Sequence, residues 1–183
     1  MAILAQRGEK REIKGNEGMK TAFLDRDGTI NRDYPDAEWK GKTEPELIDG
    51  AMEGLRFLQD QGYALIMITN QYLIDEGIIT FADYQNFTDR LVWRLAQQGI
   101  HLQDIFFCPH RRDAGCRCCK PKPGMIEQAL AKYPEIDLKQ SILIGDSAGD
   151  RELARSLAIP FYEIADEGRH PRKNWKAVYA LGR

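Results

Sequence analysis

The sequence predicts an α/β fold, a doubly wound parallel sheet, and three observations carry that prediction. Short apolar strand signals alternate with amphipathic helical stretches along the chain. One of those signals, residues 63–68 (Tyr-Ala-Leu-Ile-Met-Ile), is apolar almost throughout, as in a strand covered on both faces. Residues able to do chemistry recur just after strand signals, where open parallel sheets hold their ligands.

Taken in order, residues 21–24 read as the first strand, and 51–61 as a helix with Leu55 and Leu58 on one face. Residues 63–68 are the second strand. Residues 81–98 place Tyr84, Phe87, Leu91 and Leu95 at helical spacing, and Gly99 ends that helix. Residues 104–107 form a third strand, 125–132 a helix, 141–144 a fourth strand, 151–157 a helix and 159–162 a fifth strand. From Ala165 the chain is polar and basic, with apolar anchors at Trp175, Val178 and Leu181. Repeated strand–helix–strand units imply right-handed crossovers and helices on both faces.

A chain of 183 residues, 43% hydrophobic and 30% charged, is one ordinary globular domain with a real core. A formal charge of −2 sets up no general basic field, so neither nucleic acid nor an anionic membrane is expected as partner. No apolar run approaches the ~20 residues that span a bilayer. Residues 1–18 lack the apolar core of a secretory signal and read as a mobile leader, leaving 19–183 as a single domain. All four cysteines fall between Cys108 and Cys119, beside His110. Such clustering points to metal and to a reducing, cytoplasmic compartment rather than a disulfide framework. The chain is expected to act as a monomer or homodimer.

Four modules carry the chemistry. Asp25-Arg26-Asp27-Gly28-Thr29 sets two carboxylates one residue apart behind a strand. Thr69-Asn70-Gln71 offers a hydroxyl and backbone amides to a phosphoryl oxygen, Lys120 supplies a cation, and Gly145-Asp146-Ser147-Ala148-Gly149-Asp150 presents further carboxylates after a strand. Each alone reads equally well as a turn, a cap or a surface charge. Together, all at strand ends and in this order, they resemble the haloacid dehalogenase superfamily of aspartate-nucleophile phosphatases, over roughly residues 19–163.

The resemblance implies a Rossmann-like core in which Asp25 attacks phosphorus and Asp27 first protonates the leaving group, then deprotonates water. A neighbouring carboxylate is expected to keep Asp27 partly protonated. Mg²⁺ is expected on Asp25, the backbone carbonyl of Asp27, and Asp146, with Thr69 and Lys120 completing the cradle for phosphate. Asp150 is expected to orient Lys120 or the metal's water, and Asn31 and Asn70 to donate hydrogen bonds from behind. The chain has no room for a cap domain between these modules. Specificity is therefore expected from residues 33–43 (with Trp39), residues 72–78 and the cysteine loop, with Trp39 and Tyr72 either packing substrate or anchoring their loops.

Cys108-Pro109-His110 and, five residues on, Cys116-Arg117-Cys118-Cys119 suit a closed tetrahedral Zn²⁺, which is structural rather than catalytic. A loop containing Arg111, Arg112, Asp113 and Gly115 has little apolar material with which to fold, and a metal clip would supply the order. The loop is similar to that of the zinc-loop branch, typified by D-glycero-D-manno-heptose-1,7-bisphosphate phosphatases and histidinol-phosphate phosphatases. That resemblance selects Cys108, His110, Cys116 and Cys118 as ligands, with Cys119 left beside Lys120. Two positions depart from the branch pattern: Cys119 and Glu76 stand where it has arginines, which argues against a bisphosphate.

The sequence thus indicates a Mg²⁺-dependent phosphomonoester hydrolase for a small phosphorylated metabolite, such as D,D-heptose 1,7-bisphosphate or histidinol phosphate. The competing readings are a nucleic-acid end phosphatase, which the tail cations Arg169, His170, Arg172, Lys173 and Lys176 would serve, and a non-catalytic regulator retaining the fold.

Overall fold

The computed structural model describes residues 18–164, 175–179 and 181. The expected leader, Gly18 apart, lies outside the described residues, as do Arg169, His170, Arg172 and Lys173. Five strands form one fully parallel sheet: β1 (Thr21–Leu24), β2 (Ala64–Asn70), β3 (Leu102–Cys108), β4 (Ile142–Gly145) and β5 (Phe161–Glu163), in the spatial order β3-β2-β1-β4-β5. The order reverses between β1 and β4, opening a crevice beyond their carboxyl ends.

Strand alternation distributes the core between two layers. Ala22, Leu24, Leu65, Met67, Ile142 and Ile144 face α1 (Ala51–Asp60) and α2 (Phe81–Ala96), meeting Leu55, Leu58, Leu91 and Leu95. Phe23, Ile66, Ile68 and Leu143 face α3 (Gly124–Lys132) and α4 (Ala148–Ser156), meeting Met125, Ile126, Ala129, Leu153 and Ala154. The tail anchors hold as expected: Trp175 and Val178, the latter in α5 (Lys176–Tyr179), are buried in the first layer. The Trp175 indole donates to the carbonyl of Thr29, 3.1 Å, tying the C-terminal segment to the turn after Asp27.

Two elements begin two or more residues earlier than the sequence suggests, and buried charges explain both. β3 begins before Asp104 because that carboxylate is satisfied by Lys132 Nζ at 2.6 Å and the Tyr133 hydroxyl at 3.0 Å. α4 starts at Ala148, ahead of Arg151, because Ser147 and Asp150 form a reciprocal capping box.

A third apolar cluster, Tyr34, Trp39, Leu73, Ile79, Tyr84 and Phe87, pins residues 33–43 and 72–79 against α2 at the mouth of the crevice. Trp39 is 5% exposed, packs edge-on against Tyr34 and Phe87, and donates its indole N–H to the Tyr34 carbonyl. Of its two expected uses, it is a loop anchor.

Candidate active site

Asp25 continues the line of β1, its amide donating to the carbonyl of Ile144 in β4. Its carboxylate is 2.6 Å from Lys120 Nζ, which also donates to Asp150 Oδ1 at 2.7 Å and to the Ile68 carbonyl at 3.1 Å. All three ammonium protons are thus spoken for, and the Lys120 side chain is 4% exposed. Although burial opposes its charge, the carboxylates of Asp25 and Asp150 hold the Lys120 pKa above the ordinary lysine value.

Lys120 precedes α3 rather than lying in it, and Asn70 fixes its backbone. The Asn70 amide accepts from Lys120 N at 2.9 Å and donates to Lys120 O at 3.2 Å. Asn70 thus holds the Lys120 backbone at two points. Asp150 has no oxygen to spare: Oδ1 holds Lys120, and Oδ2 accepts from the Ser147 hydroxyl and amide. Gly145 makes that approach possible, since a Cβ there would stand 2.5 Å from the Asp150 carboxyl carbon.

Asp25, Asp146 and Asp150 place carboxylate oxygens within 4.8 Å of one another, and Thr29 Oγ1 lies 3.5 Å from both Asp25 and Asp146. Desolvation raises the Asp25 carboxyl well above its usual range, against the pull of Lys120 and with the help of the Asp150 and Asp146 charges. Three carboxylates thus crowd together while one ammonium reaches only Asp25 and Asp150, an arrangement that a divalent cation would relieve. The donors are all oxygen, the set a hard ion such as Mg²⁺ prefers.

Asp27 differs from expectation. Its contacts are not with a carboxylate but with donors: Arg26 Nε and Nη2 at 2.9 and 2.8 Å, Asn31 Nδ2 at 2.9 Å and Gln71 Nε2 at 2.7 Å. Gln71 also donates to Thr69 Oγ1 at 2.9 Å, leaving that hydroxyl its own proton to offer. Arg26 and Gln71 carried no role in the sequence. The contacts that define them, Arg26 with Thr88 on α2 and Gln71 with Asp27, join residues remote along the chain.

Cys108, His110, Cys116 and Cys118 bring their ligand atoms within 4.8 Å of one another. Neighbouring pairs lie 3.1 to 3.5 Å apart. The edge of a tetrahedron of zinc–sulfur bonds is about 3.7 Å, so small adjustments would seat the ion. Against desolvation, the Cys119 backbone amide and then the neighbouring thiols bring Cys116 down to about 7. Cys119 stands outside this group of four; its Sγ lies 3.6 Å from the Lys120 carbonyl.

The rim is held by exposed ion pairs. Arg112 of the cysteine loop pairs with Asp36 and, at 3.4 Å, with Glu76, and lies 3.9 Å over the Tyr72 ring. Arg111 pairs with Asp75, and the Tyr72 hydroxyl donates to Asp36 at 2.9 Å. Glu76 is therefore matched by a guanidinium from another loop, which the sequence pattern did not disclose.

A family model described as haloacid dehalogenase-like hydrolase matches residues 4–157. A D-glycero-alpha-D-manno-heptose-1,7-bisphosphate 7-phosphatase of Photorhabdus laumondii subsp. laumondii is 40% identical over 161 residues, 84% of this chain and 85% of its own length. A D-glycero-beta-D-manno-heptose-1,7-bisphosphate 7-phosphatase of Haemophilus influenzae is 39% identical over 156 residues, 82% of this chain and 83% of that one. Among solved structures, D,D-heptose 1,7-bisphosphate phosphatase from B. bronchiseptica, complexed with magnesium and phosphate, superposes with a TM-score of 0.74 at 26% identity. That match covers 90% of this chain and 99% of the other. The chain belongs to the haloacid dehalogenase-like hydrolases.

Proposed function

From that membership we propose that the chain is a Mg²⁺-dependent phosphatase hydrolysing a primary phosphate ester of a small sugar, with D-glycero-D-manno-heptose 1,7-bisphosphate as the leading candidate. The observation that carries the reading is the buried contact of Asp25 with Lys120, 2.6 Å, at the strand-end crevice. A solvent-shielded carboxylate held by a lysine and crowded by two further acids has little structural purpose, because an apolar cluster would be cheaper to bury.

In this reading Asp25 Oδ attacks phosphorus as the bond to the leaving oxygen breaks, and the Asp27 carboxyl passes its proton to that oxygen. Water then attacks the aspartyl-phosphate, gives a proton to Asp27, and the Asp25–phosphorus bond breaks. Lys120 and the Thr69 hydroxyl hold the phosphoryl oxygens, while Asp150 and Asn70 hold Lys120. Asp25, the backbone carbonyl of Asp27, and Asp146 would bind Mg²⁺, which when bound neutralises charge so that two anions can meet.

The second anion of a bisphosphate needs a cation at the rim. Glu76 and Cys119 argue against one, but Arg112 brings a guanidinium to that place. Similarity to the alpha and beta enzymes is nearly equal, so it selects neither anomer. The four-ligand cluster would hold one structural zinc per chain and set the loop that delivers Lys120. Reduced, clustered thiols fit a cytoplasmic setting, and no described helix is long and apolar enough to cross a membrane.

The test is phosphate release from both heptose 1,7-bisphosphate anomers, sugar monophosphates, histidinol phosphate and 5′-phosphorylated oligonucleotides, with Mg²⁺ and with EDTA. Turnover of heptose bisphosphate that EDTA stops supports the reading. Mg²⁺-independent turnover, or a preference for oligonucleotides, would overturn it.

A further inference from the structure

Between the two aspartates of the first module lies a guanidinium with an unusual setting. Arg26 is 1% exposed, yet arginine keeps its charge at any ordinary pH. Its Cζ lies 5.7, 5.4 and 5.1 Å from the ring centres of Trp39, Tyr84 and Phe87, so aromatic faces enclose it. Nη1 donates to Thr88 Oγ1 at 3.1 Å, fixing the plane of the group to α2. The remaining fork, Nε and Nη2, reaches one oxygen each of Asp27 at 2.9 and 2.8 Å.

A fork that meets both carboxylate oxygens fixes the plane of the acid as well as its position. Asn31 and Gln71 add one hydrogen bond to each oxygen, and the Asp27 side chain keeps 16% exposure. A charge buried among apolar rings gains little as a fold stabiliser, since hydrophobic replacements of buried ion pairs are often neutral or better. What the arrangement provides is a carboxylate that cannot swing freely, two residues along the chain from Asp25.

We infer that Arg26, seated in the Trp39–Tyr84–Phe87 box, is the positioning residue that aims the Asp27 carboxyl for both of its proton transfers. The inference rests on the reading of Asp27 as the proton-transfer group. In the first step the Asp27 proton travels to the leaving oxygen as the phosphorus–oxygen bond breaks. In the second, a proton from the attacking water returns to Asp27. Arg26 exchanges no proton and touches no substrate; it keeps a flexible side chain in one orientation for both events. The aromatic box couples this aim to the mouth, because Trp39 belongs to the loop that also carries Asp36.

Proton donation matters little when the leaving group is a good one, and this separates aim from architecture. The experiment measures kcat/KM for p-nitrophenyl phosphate and for an alkyl phosphate in the full chain with Mg²⁺. Native protein is compared with Arg26→Met, Arg26→Lys, Thr88→Val and Asp27→Asn. General acid help is worth about 10²- to 10⁴-fold. Arg26→Met is therefore expected to lose about 10²-fold on the alkyl phosphate and less than about tenfold on p-nitrophenyl phosphate. Because hydrolysis of the aspartyl-phosphate also needs Asp27, the same variant should release a burst of nitrophenol before a slow steady state. Thr88→Val, which only loosens the fork, should show the same selectivity at smaller size, and it covers the case in which Arg26→Met does not fold. Losses equal on the two substrates, with Asp27→Asn still selective, would overturn the assignment of Arg26 alone. An Asp27→Asn variant without selectivity would overturn the reading of Asp27 and the inference with it.

Discussion

The floor of the crevice and its rim are built from opposite materials. At the floor, Asp25, Lys120 and Asp150 are nearly sealed from solvent, each held by two or three hydrogen bonds to strand ends or a helix cap. At the rim, Arg111, Arg112, Asp36, Asp75 and Glu76 join three loops through side chains that are 27–54% exposed. Floor contacts act in a low dielectric and are strong, whereas rim pairs are screened and contribute little to stability. The difference implies a division of labour. A rigid floor fixes phosphoryl chemistry, and a loosely zipped rim can change substrate without disturbing it.

The sharpest way to break this division is at Asp25, the proposed nucleophile. Asp25→Asn should reduce phosphate release to background on every substrate, because an amide does not form the acyl phosphate. Stability should move the other way. A carboxyl whose folded pKa is raised costs stability as pH rises through its unfolded and then its folded value, so at neutral pH the native Asp25 is a burden. Metal-free Asp25→Asn should therefore melt no lower than the native chain; a clear fall in melting temperature would mean that Asp25 is mainly structural. Next in size is Lys120→Met, which removes the ammonium and leaves two buried carboxylates facing each other. Activity should fall by about 10²- to 10³-fold. Stability should drop by roughly 3–5 kcal/mol without metal, as when a buried ion pair loses one partner. Mg²⁺ should restore part of that loss, and thermal melts with and without the ion would show it.

The floor was legible in the sequence because parallel strands deliver consecutive modules to one edge. Asp25, Thr69 and Asp146 each announce themselves by position at a strand end, and Lys120 by its place ahead of a helix, whatever the rest of the chain does. The supporting contacts of Asn70 and Asp150 followed from the same logic. The rim and the setting of Arg26 were not legible. Arg112 meets Asp36 and Glu76 only because three loops of unrelated spacing converge, and nothing local to any of them encodes the others. Arg26 carried no reading of its own, because the groups that define it, Trp39, Tyr84, Phe87 and Thr88, arrive from a loop and a helix far along the chain. Periodicity finds elements, and element ends find strand-borne chemistry. Contacts between loops need coordinates.

The cysteine loop joins the two regions, since it carries Arg112 at the rim and leads directly into Lys120 at the floor. On the proposed zinc site, metal analysis of the native protein should find about one zinc per chain, and Cys118→Ser should lose it and lower the melting temperature by roughly 10 °C. Cys119→Ser should retain zinc and melt within about 2 °C of the native protein, because its sulfur lies outside the four-ligand group. Equal effects of the two substitutions would show that the cluster has been assigned to the wrong thiol.

The smallest expected effect tests the rim itself. Arg112 is exposed, and its contacts are two carboxylates and the face of Tyr72. Its replacement by glutamine removes the charge that offsets Asp36 and Glu76 but leaves Tyr72 bonded to Asp36 and the third apolar cluster intact. The melting temperature should shift by no more than about 2 °C, as for an exposed pair in a chain of this size. Substrate choice should respond more. With the guanidinium gone, two acids face any second anion, so KM for a sugar bisphosphate should rise severalfold more than KM for the matching monophosphate. Added salt should shrink that gap, since the interaction lies within reach of screening. If Arg112→Gln instead cripples both substrates equally, the rim is part of the catalytic architecture and the contrast with the floor fails.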